Sequence, residues 1–151
     1  IFEISVDGNN WQELQFKWKP VALDARPRFV QPHQPRLDWQ LWFAGLYYER
    51  VLSLFWKQNG RAPESYDEIH RFIYQRYRQV YSRHVWVHNF MEGILNKSPS
   101  VLNLTAHENW PDKPFYLRAW LFDYNFTRIG ENAWWQRKNK RLLFPEIGNS
   151  K

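Results

Sequence analysis

The sequence contains no cysteine, a single methionine and only six glycines in 151 residues. Without cysteine there are no disulfides and no thiolate, either as nucleophile or as metal ligand. That absence does not fix the compartment; an oxidising lumen, if this is one, is not exploited for stapling. The glycines form no phosphate-cradling loop, and no serine sits in a G-x-S-x-G turn. Long apolar runs are missing too. The densest, Leu41 to Tyr48, ends at Glu49-Arg50 and falls far short of the ~18–20 residues a membrane span needs. There is no repeat, no low-complexity tract and no signal-peptide pattern. The chain starts at Ile1 inside a strand-like pattern, which reads as part of something longer.

What is present in excess is aromatic side chain: ten Trp, eight Tyr and eleven Phe. Large flat rings bury much area each, so most of them are expected to pack a core. The formal charge is +6. Its basic residues are spread along the chain, and two clusters stand out, Arg71, Arg76, Arg78 and Arg83, then Arg137, Lys138, Lys140 and Arg141. Both read as solvated faces, because no nucleic-acid-binding module is present and acidic residues interrupt most other stretches.

Residues 1–19 read as a β-hairpin. Phe2, Ile4 and Val6 alternate, Asp7-Gly8-Asn9-Asn10 supplies the turn, and Leu14, Phe16 and Trp18 alternate again. Pro20, Pro27, Pro32 and Pro35 then enforce an extended stretch. Asp38 can cap a helix whose buried stripe is expected at Trp39, Trp42, Phe43, Leu46, Val51, Leu54 and Phe55, closing at Asn59-Gly60. Ser65 to Glu68 forms a capping box for a second helix with Ile69, Phe72, Ile73, Tyr77 and Val80 inward. A third helix, roughly Val85 to Leu95, buries Phe90, Met91, Ile94 and Leu95, and Ser98-Pro99 opens a short fourth. Phe115 to Phe126 is a strand apolar on both faces, suited to the middle of a covered sheet. The tail from Ile129 is left without an element. The expected class is α+β: one domain over 1–151 with a small antiparallel sheet, the N-terminal hairpin plus the strand near 115–126, packed with a helical insertion.

Catalytic patterns are sparse. His84 and His88 stand at i and i+4, a metal-compatible spacing, but the metalloprotease glutamate and a third ligand are missing, so no metal is expected. Glu64, Asp67 and Glu68 start a helix, where negative charge is favoured by the dipole. The segment 31–40 is denser. His33, Gln34, Arg36 and Asp38 alternate with Pro32, Pro35, Leu37 and Trp39. Buried polar groups need partners, and Arg36 has a fork suited to a carboxylate such as Asp123. The reading favoured is an internal clamp rather than a recognition site.

Arg28-Phe-Val-Gln-Pro-His-Gln-Pro-Arg-Leu-Asp-Trp-Gln-Leu-Trp-Phe-Ala-Gly-Leu46 is similar to the C-terminal region of lipase maturation factors. So are Phe16 to Pro20, Lys113 to Ala119, Phe122 to Thr127 and Trp134 to Arg137, in the same order. Residues 47–85 stand outside that pattern and read as an atypical helical insertion. The resemblance implies a lumenal domain of a multi-span endoplasmic reticulum membrane protein. It implies help in folding and assembling dimeric secreted lipases, with no catalytic residue and no cofactor. Three glycosylation-acceptor tripeptides accord with a lumenal address, beginning at Asn96, Asn103 and Asn125. The expected partners are therefore lipase clients. The alternative is subunits of a membrane assembly that reuses the fold, and a small-ligand site at His33, Arg36 and Asp38 ranks last.

Overall fold

The computed structural model describes residues 1–29, 36–76, 78–113 and 115–148, and the side chains of all of these except 36 and 78–84. Strand β1 (Phe2–Ser5) turns into a short β2 (Gln12–Glu13). Four helices follow, α1 (Arg36–Asn59), α2 (Tyr66–Arg76), α3 (Arg78–Leu95) and α4 (Pro99–Leu102), before β3 (Tyr116–Phe126) and β4 (Trp135–Gly148). The strands form one antiparallel sheet in the order β2-β1-β3-β4. The α+β expectation therefore holds, and the strand near 115–126 lies inside the sheet between β1 and β4, although helices cover only one of its faces.

The first turn is built by Asp7. Its carboxylate accepts the Asn9 and Asn10 amides at 2.8 and 2.7 Å and the Ser5 hydroxyl at 2.9 Å, while Gly8 takes a left-handed φ of 73°. These bonds stabilise the charged carboxylate and hold its pKa well below the usual range. The returning strand is shorter than the alternation predicts. Only Gln12 and Glu13 pair with β1, and Phe16 instead bridges to Thr105.

A row of partners runs across the inner face of the sheet, from Phe2 through Ala119 to Phe144. Phe90 of α3 meets Phe2 edge-on at 5.8 Å, while Tyr48 of α1 and Tyr66 of α2 both meet Phe144 edge-on. All three long helices therefore lie on one face of the sheet. Within the core, Phe90, Met91, Ile94 and Leu95 are buried as their spacing predicts, and so are Ile69 and Ile73. The second helix has half of its capping box: Ser65 Oγ accepts the Glu68 amide, but Glu68 reaches to the Glu64 amide and to Arg61. Gly93 lets α4 close in, since a Cβ there would stand 2.5 Å from Val101.

The third helix starts at Arg78 rather than near Val85, so Val80, expected on the second helix, belongs to α3. Two further features depart from the sequence reading. The tail is a 14-residue strand pairing with β3 from Phe126–Trp135 to Tyr116–Gly148, with register shifts along the way. It is an edge strand, which is why Lys138, Lys140 and Pro145 are compatible with it. The second departure is the orientation of α1. Its buried stripe is Leu41, Ala44, Tyr48, Val51 and Phe55, while Trp39, Trp42, Phe43 and Leu46 are exposed by 40, 59, 50 and 54%. Only Val51 and Phe55 of the expected stripe are buried. The helix is apolar over more than one face, and the set at 41, 44, 48, 51 and 55 is the one turned to the core, with Tyr48 against Phe144 and Phe55 against Phe72.

Candidate interaction site

The outer face of the sheet closes on itself. Arg118 donates to the buried Glu3 carboxylate at 2.6 Å, Trp120 Nε1 donates to the same oxygen at 3.0 Å, and the guanidinium lies 3.7 Å from the Trp11 ring centre. Lys140 covers Trp120 at 4.1 Å. Rings and cations here satisfy one another.

The opposite side differs. Between α1 and the curled β3–β4 ribbon lies a cavity of about 660 Å³, within the size range of small-molecule sites. Phe2, Leu41, Gly45, Phe122, Tyr124 and Phe144 form its walls. Gly45 brings the helix close to the ribbon, for a Cβ there would meet Leu121 at 3.1 Å. Trp18, Trp39 and Trp42 ring its mouth, and Trp39 meets Trp42 and Phe43 edge-on at 5.6 and 5.5 Å. A smaller hollow beyond Glu49 and Arg141 is bounded by Trp56, Leu52 and Pro63. Together these place an exposed aromatic surface beside an apolar recess, the pattern of an interaction site.

The loop on which the mouth depends is pinned by the start of β4. Leu23 O accepts the Trp134 and Trp135 amides, Ala25 O accepts Trp135 Nε1 at 2.7 Å, and Arg137 donates to Val21 O and Glu13. The first turn of α1 fixes the same loop from the other side. Asp38 is buried and accepts the Trp18 and Lys19 amides at 3.2 and 2.8 Å.

Of the other motif residues, His33 and Gln34 lie outside the described residues, as does the Arg36 side chain. Trp39 stands on the exposed face. Asp123 is bound by Arg141 at 2.9 Å and Asn139 at 2.7 Å, which lowers its pKa, and Arg141 also reaches Glu49 at 3.0 Å. His88 Nδ1 lies 2.9 Å from the Tyr66 hydroxyl and Nε2 3.1 Å from Glu92, with the His70 ring tilted against it at 4.5 Å; the His84 side chain is outside the described residues. Among the described residues no three His, Asp or Glu gather to hold a metal. Asn96, Asn103 and Asn125 are exposed, and the Thr105 hydroxyl of the middle tripeptide is turned to Leu102 O at 2.8 Å. The recess itself was invisible in the sequence, because its walls come from both ends of the chain. Only the surplus of apolar residues on α1 hinted at a second face.

A family model described as the lipase maturation factor C-terminal domain matches residues 1–61. Lipase maturation factor 2 of Gallus gallus is 29% identical over 97% of this chain, and that of Homo sapiens is 29% identical over 97%. The chain is similar to the lipase maturation factors. Human lipase maturation factor 1 also aligns, at 25% identity over 91% of the chain. The chain spans 18, 17 and 20% of these three relatives respectively, so it corresponds to one part of them. No solved structure matches it. The first block of resemblance, Phe16 to Leu46, falls within the residues the family model matches, and it contains both the Asp38 tie and the exposed aromatics.

Proposed function

We propose that this chain is a non-catalytic helper domain that assists folding or assembly of secreted lipases on the lumenal side of the endoplasmic reticulum membrane. The observation that carries the reading is the exposed aromatic face of α1, Trp39, Trp42, Phe43 and Leu46, in a chain similar to proteins named lipase maturation factors. A folding helper must hold apolar surface that a client has not yet buried, and aromatic side chains supply contact area at low entropic cost. On the outer sheet face the Trp11 and Trp120 rings are instead covered by Arg118 and Lys140. Exposed asparagines at 96, 103 and 125 accord with a glycosylating lumen. No helix among the described residues is long and apolar enough to cross a membrane, so anchoring would be the task of another part of the protein.

The test is co-purification of the protein from intact membranes, followed by the same experiment with Trp42→Ser and Leu46→Ser. Recovery of immature lipases that falls in the double variant supports the reading. Stoichiometric recovery of unrelated membrane subunits, with no lipase, replaces it by a structural role in an assembly.

A further inference from the structure

The cavity between α1 and the ribbon has an uneven distribution of charge that the aromatic face does not explain. At its far end the charges are matched, since Arg141 is shared by Asp123 and Glu49 at 2.9 and 3.0 Å. At the mouth the one carboxylate, Asp38, is occupied by two backbone amides. Lys19 and Arg28 stand at the same mouth. Among the described residues neither has an anionic partner within ion-pair distance: Lys19 Nζ faces the Phe16 ring at 5.5 Å and Arg28 the Trp18 ring at 5.6 Å. Of the two, Arg28 is exposed, whereas burial pulls the Lys19 pKa down to about 8 and the weaker attraction of Asp38 does not offset it.

We propose that this cavity binds a single-chain amphiphile with a carboxylate head, its hydrocarbon tail lying between Leu41, Gly45, Phe122 and Phe144 and its head at Lys19 and Arg28. The tail replaces water along walls that are mostly apolar. The carboxylate supplies the missing anion, and guanidinium and ammonium together hold it by charge-assisted hydrogen bonds. Gly45 takes part by leaving the wall smooth where a side chain would press on Leu121. The occupant is a free monomer rather than a bilayer, since the recess lies between packed elements and admits one chain from the mouth. Its lining shares Trp39, Trp42 and Leu46 with the client surface proposed above, but the proposal does not rest on that reading, since its readout is binding of oleate.

The experiment is calorimetric titration of the chain with oleate below its aggregation concentration, and separately with oleyl alcohol, which has the same tail and no charge. Oleate is expected to bind roughly tenfold or more tightly than the alcohol, the effect of one charge-assisted pair in apolar surroundings. Lys19→Met should remove most of that preference while leaving the alcohol unchanged, and Lys19→Arg should restore it. Equal binding of the two ligands, or binding of neither, overturns the proposal. So does an oleate preference that survives Lys19→Met. Two further controls also bear on it. Binding to phosphatidylglycerol vesicles without monomeric oleate would make the site a surface contact. Binding of an apolar hexapeptide with a free C-terminal carboxylate, and not oleate, would make it a peptide site.

Discussion

Asp38 accepts the Lys19 amide at 2.8 Å, so a side chain in the first turn of α1 closes the loop that leaves the hairpin. The carboxylate does this while buried, which makes the pair a structural tie. Replacing it should therefore act on stability before it acts on any partner. Asp38→Ala leaves the Trp18 and Lys19 amides without an acceptor and is expected to cost about 1–3 kcal/mol. Asp38→Asn, which keeps one acceptor oxygen, should cost less. Urea denaturation of both variants checks the order; equal losses would mean the charge, not the acceptor, matters.

The Glu3–Arg118 pair under Trp120 gives a second expectation. Glu3→Ala strands Arg118 and the Trp120 indole donor, at about 2–3 kcal/mol, below the full cost of breaking a buried pair because Arg118 keeps some water. Glu3→Leu combined with Arg118→Leu should recover most of the loss. Thermal melts of the single and double variants decide it.

The orientation of α1 is tested by pairs of substitutions on its two faces. Leu41→Ala opens the core and should cost about 2–5 kcal/mol. Trp42→Ser and Leu46→Ser should each change stability by no more than about 0.5 kcal/mol. If Trp42→Ser proved as damaging as Leu41→Ala, the exposed face would be core in the functional protein.

Lys19 sets a pH dependence. Its pKa is about 8 in the folded chain against an ordinary 10.5, so between these values the unfolded chain binds more protons and stability rises with pH. Below pH 8 both states carry the charge and the penalty is complete. The gain is on the order of 1–3 kcal/mol and is best read from pH 8 to about 9.5. Above that range Tyr124, whose pKa burial raises, pulls in the opposite direction. Denaturation midpoints across this range should slope upward in the natural chain and lie flat in Lys19→Met.

Much of this was legible from the residues. The turn at Asp7, the stop at Gly60, the burial of Ile69 and Ile73 on α2 and of Phe90, Met91, Ile94 and Leu95 on α3, and the place of β3 inside the sheet follow from local spacing and turn chemistry; Tyr77 and the Val80 side chain lie outside the described residues. The tail was not legible, because Gln136 to Arg141 is basic and Pro145 interrupts it; that segment is a strand only through pairing with β3, a contact local preference cannot encode. The stripe on α1 was misassigned for a related reason. A 24-residue helix with apolar residues on several faces has no single periodic answer, and the partner sheet chooses. The cavity required both ends of the chain and could not be read from either.

The position of β1 in the sheet also constrains how the chain can assemble. Glu3 and Arg118 are neighbours across 115 positions, and β4 follows later still. As the chain emerges during synthesis, the first strand and three long helices exist before the strand that unites them. Such distant pairing is slow to form, and until it does the aromatic faces of α1 on both sides remain uncovered. A domain built this way is itself exposed to the hazard of premature association, and its folding rate should be more sensitive to truncation near residue 126 than to changes anywhere in its helices.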